Sequence, residues 1–307
     1  MNHPPTSKTL IVIAGPTASG KTAVAIELAK HYKTVVVSAD SRQFYREMSV
    51  GTAKPSHEEQ AAAKHYFIDS LSISENYTAG DYENDALKLL DELFKTHNVV
   101  ILAGGSGLFI KAVCDGFDSF PDIKPGIRKK LNEEFENKGI AYLQDKLKSA
   151  DPLYHGQVDL NNSQRVIRAL EVFESAGKPY SSFRKSDSGE RPFRIIKIGL
   201  NIDRTALYER INRRVDEMIK QGLVEEVRSL LPYRHLNALN TVGYAELFDY
   251  FDHKTNLETA IASIKQNTRR FAKRQMTWFN KDKEITWVPA DRPAVANNII
   301  QIADSLV

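Results

Sequence analysis

A doubly wound parallel α/β sheet with an all-helical insertion is the fold class this 307-residue sequence predicts. Three observations point to it. Short apolar runs alternate with amphipathic helical stretches in the first third of the chain and return near residue 194, the pattern of a parallel sheet covered by helices. The octapeptide GPTASGKT at 15–22 joins the first apolar run to the first helical stretch. Between residues 118 and 192 the strand pattern stops and only helical periodicity remains.

In chain order, LIVIA at 10–14, TVVVSA at 34–39, NVVILA at 98–103 and RIIKIGLNI at 194–202 read as strands, because near-continuous aliphatic runs mark strands buried on both faces. Residues 23–32 and 81–94 carry apolar side chains at three- and four-residue spacing and read as helices, with Thr78 and Asp81 giving a capping-box start to the second. IRKKLNEEFENKG and QRVIRALEVFESAGKP supply amphipathic helices for the insertion. After the strand at 194–202, helices are predicted over 204–221, stopped by Gly222, and over 258–279. The expected organisation is a core begun by residues 1–117, an insertion over 118–192, and completion of the core by 193–307.

A chain of this length buries an ordinary core without disulfide or metal staples. Its single cysteine, Cys114, cannot close an intramolecular disulfide, and His31, His57, His65, His97 and His155 show no metal-ligand spacing. Cys114 reads as a small buried apolar residue, and Tyr66 with Phe67 as strand packing. The opening MNHPPTSK is short and polar, and no apolar run approaches the roughly 18 residues of a membrane span. No membrane partner is expected, and a reducing cytoplasm is.

Net charge is +3, from 42 Lys and Arg against 39 Asp and Glu, too mild to indicate nucleic acid by itself. Its distribution says more: residues 263–283 hold seven basic residues against one acid. There Lys265, Arg269 and Lys273 recur every fourth residue with Arg270 and Arg274 alongside, a stripe suited to a phosphate backbone or to a solvated helix face. Trp278 and Phe279 follow as base-stacking rings or, for at least one, as core.

GPTASGKT matches GxxxxGK(S/T), a pattern that chance places in roughly one in a hundred chains of this size. The strand before it and the helix after it are the context a phosphate loop requires. Gly15 and Gly20 let the backbone curl so that N–H groups aim at phosphate oxygens, Lys21 adds a point charge, and Thr22 offers a hydroxyl to a phosphate-bridging magnesium ion. The loop alone does not say whether those phosphates belong to a nucleotide. Asp40, closing TVVVSAD, falls at the carboxyl end of the second strand, where ligands of such sheets gather. There it serves as a metal ligand, as a proton acceptor, or as the cap of a following helix.

These landmarks and their neighbours resemble the tRNA dimethylallyltransferase (isopentenyltransferase) family. The resemblance is carried by GPTASGKT, SADSRQFYREMSVGTAKP, KHYFIDSL, GGSGLFIKAV at 104–113, DP at 151–152, QRVIRALEVF at 164–173, GKPYS at 177–181, RRVDEMIKQGLVEEV at 213–227 and TRRFAKRQMTWF at 268–279, together nearly the whole chain. It implies a P-loop NTPase-like parallel sheet flanked by helices, and transfer of a dimethylallyl group from dimethylallyl pyrophosphate to the exocyclic amine of the tRNA adenosine immediately 3′ of the anticodon. Pyrophosphate leaves, and Mg2+ assists. Carried onto this chain, the pyrophosphate contacts are Gly15, Pro16, Thr17, Ala18, Ser19, Gly20, Lys21, Thr22 and Arg214, Thr22 being also the metal ligand. Asp40 is the implied base, acting with Thr22 and Arg214. Asp40, Ser41, Arg42, Gln43, Ser106, Arg128, Gln164, Arg165 and Arg168 are the implied contacts to the tRNA anticodon loop, in a channel between sheet and insertion. The expected state is a monomer of bacterial type, since one cysteine rules out the zinc finger of eukaryotic relatives.

Three places depart from the family pattern. Ser106 and Phe109 stand where Thr and Tyr are usual, Leu160, Asn161 and Asn162 replace a proline-Asn-Asp turn, and NALNTVGYAEL at 237–247 lacks the basic residue before its Gly-Tyr pair. Rival readings from the residues alone are a small-molecule kinase, a transferase acting on free adenine nucleotides, and a non-catalytic RNA-binding module. No arginine-dense lid between core strands favours the kinase.

Overall fold

The computed structural model describes residues 8–118, 120–184, 190–290 and 294–306; the polar opening stretch, two pieces of the expected insertion (119 and 185–189), 291–293 and residue 307 lie outside them. Elements follow in the order β1 (Thr9–Ala14), α1 (Lys21–His31), β2 (Val36–Ser38), α2 (His57–Ala62), β3 (His65–Tyr66), α3 (Ala79–Thr96), β4 (Val99–Gly104) and α4 (Gly107–Asp115). Then come α5 (Ile127–Ala150), α6 (Pro152–His155), α7 (Ser163–Ala176), β5 (Arg194–Asn201), α8 (Arg204–Lys220) and α9 (Leu223–Ser229). The chain closes with α10 (Tyr244–Phe251), α11 (Leu257–Phe279), β6 (Thr286–Pro289) and α12 (Val295–Asp304). It divides into two compact units, Asp115–Glu190 and the remainder.

The larger unit is built on a parallel sheet of order β3-β2-β4-β1-β5-β6. β1 sits between β4 and β5 with Leu10, Ile11, Val12 and Ile13 fully buried, as expected of a strand covered on both faces. The four predicted strands form. β3 and β6 were not predicted: HY and TWVP carry no continuous aliphatic run such as the one around β2. The Tyr66 and Phe67 expectation needs correcting in part: Tyr66 ends β3, whereas Phe67 takes φ +60° just beyond it, and both pack on the core. Thr78 caps α3 as read, its Oγ1 accepting from Asp81 N at 3.2 Å while Asp81 accepts from Thr78 N at 2.8 Å.

Because the strands are parallel, β1, β4 and β2, adjacent in the sheet, present their carboxyl ends on one side. β2 and β4 approach so closely there that a Cβ on Gly104 would lie 2.1 Å from the Ala39 carbonyl oxygen. Cys114, near the end of α4, is buried in the core, and Phe279 in the same cluster.

The smaller unit packs α5 on α7 around Leu131, Leu143, Leu147, Val166, Ile167 and Leu170. Gly139 breaks the helical path of α5 with φ +75°. Asp151, buried, caps α6 through Tyr154 N at 2.9 Å and holds Ser181 N at 2.6 Å, which fixes the turn after α7. No helix among the described residues is long and apolar enough to cross a membrane.

Candidate active site

The phosphate loop leaves β1 and enters α1 through Gly20 at φ +92°, a conformation glycine adopts without strain, with open space where a side chain would stand. Of its residues, Thr17, Ala18, Gly20, Lys21 and Thr22 line a cavity of about 770 Å³, while Gly15, Pro16 and Ser19 lie outside its lining. Lys21 Nζ folds back to the Pro16 carbonyl at 2.7 Å. Burial pushes its pKa down to about 8; Asp40 opposes this shift and Arg214 adds to it. The first turn of α1 has no acidic residue, so its N-terminal N–H groups and dipole present unopposed positive potential.

Arg214, on α8, reaches the loop from the neighbouring helix and donates to Thr17 Oγ1 at 3.3 Å. Burial holds its guanidinium below the ordinary value, against the pull of Asp40 and Glu59. Asp40 sits just past β2, where no helix follows: one carboxylate oxygen accepts from Arg42 N at 3.0 Å and closes a turn. A second cavity, about 460 Å³, is lined by Asp40, Ser41, Arg42, Ser106, Thr268 and Arg274 among others. Thr17, Asp40 and Arg214 line both cavities, so the carboxylate stands where the two chambers meet.

Ser41 and Ser106 are joined, Ser41 N donating to Ser106 Oγ at 3.0 Å, and this hydroxyl fixes the start of α4 against the end of β2. Phe109, which lacks the hydroxyl usual there, packs against Phe44 and Tyr82 with ring centroids 5.6 and 5.0 Å away. Arg42 spends its guanidinium internally, on the carbonyls of Asn237 at 3.2 Å and Ala238 at 3.0 Å. Gln43 likewise donates to Thr52 and Ala53 carbonyls at 3.3 and 3.2 Å. Both side chains therefore brace loops of the site.

In the smaller unit, Arg128 and Arg168 converge on one carboxylate, Glu171, at 3.0 and 3.5 Å. Glu171 is 1% exposed, so the pair holds two otherwise mobile guanidinium groups at fixed positions. Arg128 also reaches Gln164 Oε1 at 3.5 Å, and Gln164 and Arg165 are exposed. Asn162, in the stretch that replaces the proline-Asn-Asp turn, caps α7 through Arg165 N at 3.2 Å.

The basic stripe divides. Lys265 pairs with Asp216 at 2.6 Å and Arg269 donates to Asn212 at 2.6 Å, so these two tie α11 to α8, whereas Arg270, Lys273 and Arg274 are exposed. Phe279 is core; Trp278, 38% exposed, lies against Gly107, where a Cβ would come within 2.2 Å of its ring. Gln275 was missed. Buried, it accepts from Thr17 N at 2.8 Å and donates to the Gly105 carbonyl at 2.8 Å, locking the phosphate loop to the end of β4. Its signal was present: it falls on the helical stripe of Ala260, Ile264, Ala272 and Phe279, where a polar residue needs a buried partner.

The family model for IPP transferase matches residues 43–282. A tRNA dimethylallyltransferase of Christiangramia forsetii is 53% identical over 301 residues, 98% of this chain and 99% of the relative. One from Cytophaga hutchinsonii is 50% identical, over 92% of each chain. Among solved structures, the tRNA isopentenylpyrophosphate transferase of Bacillus halodurans superposes with a TM-score of 0.71 at 36% identity, covering 97% of this chain and 95% of that one. A eukaryotic dimethylallyltransferase acting on tRNA shares the fold, with a TM-score of 0.83 at 23% identity over 98% of this chain and 79% of that one. A family match across most of the sequence, with relatives about half identical over nearly its full length, means that this chain belongs to the IPP transferase family.

Proposed function

We propose that this chain is a tRNA dimethylallyltransferase of the cytoplasm, moving a dimethylallyl group from dimethylallyl pyrophosphate to the exocyclic amine of the adenosine immediately 3′ of the anticodon. The observation that carries the reading is the shared wall: Asp40, Thr17 and Arg214 face both chambers, so a donor gripped by the phosphate loop and an acceptor base in the smaller chamber meet at a carboxylate. A base reached this way has been turned out of its stack, which costs less in an anticodon loop than in a duplex.

In the transfer, a C–N bond forms between the amine and the allylic carbon as the C–O bond to the diphosphate breaks, and the bonding pair leaves with the pyrophosphate. Lys21, Arg214 and the N–H groups at the start of α1 hold the charge that develops on the leaving group. Asp40 takes the proton that the attacking nitrogen sheds. Magnesium fits the donor set modestly. The Thr22 hydroxyl lines the diphosphate chamber, and no cluster of three His, Cys, Asp or Glu stands among the described residues, so most ligands would come from phosphate and water, as this ion accepts. When bound it neutralises diphosphate charge. Arg128 and Arg168, held by Glu171, with Gln164 and Arg165, are the insertion's contacts to RNA phosphates.

Asp40→Asn keeps the turn to Arg42 but removes the proton acceptor. Single-turnover transfer is expected to slow about 100- to 10,000-fold, with inhibition by pyrophosphate within about twofold of wild type. Unchanged transfer would remove Asp40 from the chemistry.

A further inference from the structure

Residues 49–51 belong to no helix or strand, so their amides need partners from elsewhere. They find one carboxylate. Ser49 N and Val50 N donate to Glu226 Oε2 at 2.9 and 2.7 Å, and Gly51 N donates to Oε1 at 3.0 Å. The Tyr244 hydroxyl adds a fourth bond, to Oε1 at 2.6 Å. The Tyr244 ring lies over Gly51, where a Cβ would come within 2.6 Å of it. Burial, then the neighbouring Glu226 charge, drive the Tyr244 phenol far above its ordinary range, so it stays an O–H donor.

What Glu226 fastens is one wall of the larger chamber. Among the polar Ser49, Thr52 and Lys54 of this stretch, Val50, Ala53 and Pro55 offer it apolar side chains, and the phosphate loop lines it with Lys21 and the start of α1. The two linings are held independently. Glu226 bonds to 49–51 and Tyr244, whereas the phosphate loop is held by Gln275 and Arg214. A diphosphate ester needs both kinds of wall, since its charged end goes to the loop and its hydrocarbon end has only apolar surface to occupy.

Resting on the function proposed above, we propose that Glu226 is a positioning residue for the hydrocarbon end of the donor, holding Val50 and the wall that follows it against the dimethylallyl group while the phosphates are gripped elsewhere. Each of its oxygens accepts two of the four bonds. An amide in its place turns one acceptor into a donor facing donors, so Glu226→Gln loosens the wall without changing its size.

The test uses the full chain and two ligands, dimethylallyl pyrophosphate and inorganic pyrophosphate, which lacks the tail. For Glu226→Gln the KM for the donor is expected to rise about tenfold, with kcat changed less and with inhibition by pyrophosphate within about twofold of wild type. Tyr244→Phe, which keeps the ring over Gly51 and removes one bond, is expected to raise the donor KM by about two- to fourfold with the same pyrophosphate behaviour. An unchanged donor KM in both variants, or donor and pyrophosphate binding weakened in parallel, would overturn the inference. Wild-type protein that transfers no dimethylallyl group would instead sink the function on which it rests.

Discussion

Burial works against the charge on Lys21, and that sets a pH limit on the site. Its pKa falls from 10.5 to about 8, so in the empty protein the ammonium is full below that value and is lost as pH rises through it. The profile of kcat/KM for the donor, which reports the free protein, is therefore expected to fall above about pH 8, and a profile flat to pH 10 would contradict the burial argument. The linked effect on stability has the opposite sign. Between about 8 and 10.5 the unfolded chain binds more protons at this lysine than the folded one, so its contribution to stability rises with pH across that window. At this scale the positions of Gly20, Lys21 and Asp40 on the cavity were legible, the first two from local motif spacing and Asp40 from its place at the end of a strand. Glu226 and Glu171 were not: Glu226 bonds to residues 49–51, far away in sequence, Glu171 joins Arg168 of its own helix to Arg128 of another, and a carboxylate on a helix reads as solvated until the fold buries it.

The carboxyl ends of β2 and β4 bring Asp40 and Ser106 together, and their spacing depends on one missing Cβ. A methyl group at Gly104 would meet the Ala39 carbonyl at 2.1 Å, a backbone atom that cannot swing aside. Gly104→Ala is expected to destabilise the fold by about 1–3 kcal/mol, and by more if the sheet cannot spread, with a lower urea midpoint at constant m. A midpoint equal to wild type would mean that the strands are not held so closely. The long elements were readable in advance because apolar period and caps agree over many residues: the Thr78 capping box and the starts of α8 and α11 fall within about two residues of expectation. β3 and β6 were not, because HY and TWVP lack the aliphatic run that marked β2, itself only three residues long, within TVVVSA.

Across the whole molecule the net charge of +3 is small, so attraction for RNA must come from local groups. Sequence spacing marked five cations on α11, and packing leaves Arg270, Lys273 and Arg274 facing solvent while Lys265 and Arg269 hold α8. Replacing the three exposed cations by Ala is expected to lower the slope of log K against log salt for tRNA binding by about two to three units, leaving pyrophosphate inhibition unchanged. An unaltered slope would show that this face does not meet RNA. In the function proposed above a diphosphate is gripped so that its organic tail, and not a phosphoryl group, is handed on, and that transfer can be followed in one assay. The protein is incubated with dimethylallyl pyrophosphate labelled in the allyl group, magnesium and unmodified tRNA, with ATP and free AMP as parallel arms. Label entering tRNA alone, on one adenosine of the anticodon loop, is the result expected; label in AMP only, or ATP consumed with no label in RNA, would exclude prenyl transfer to tRNA by this site.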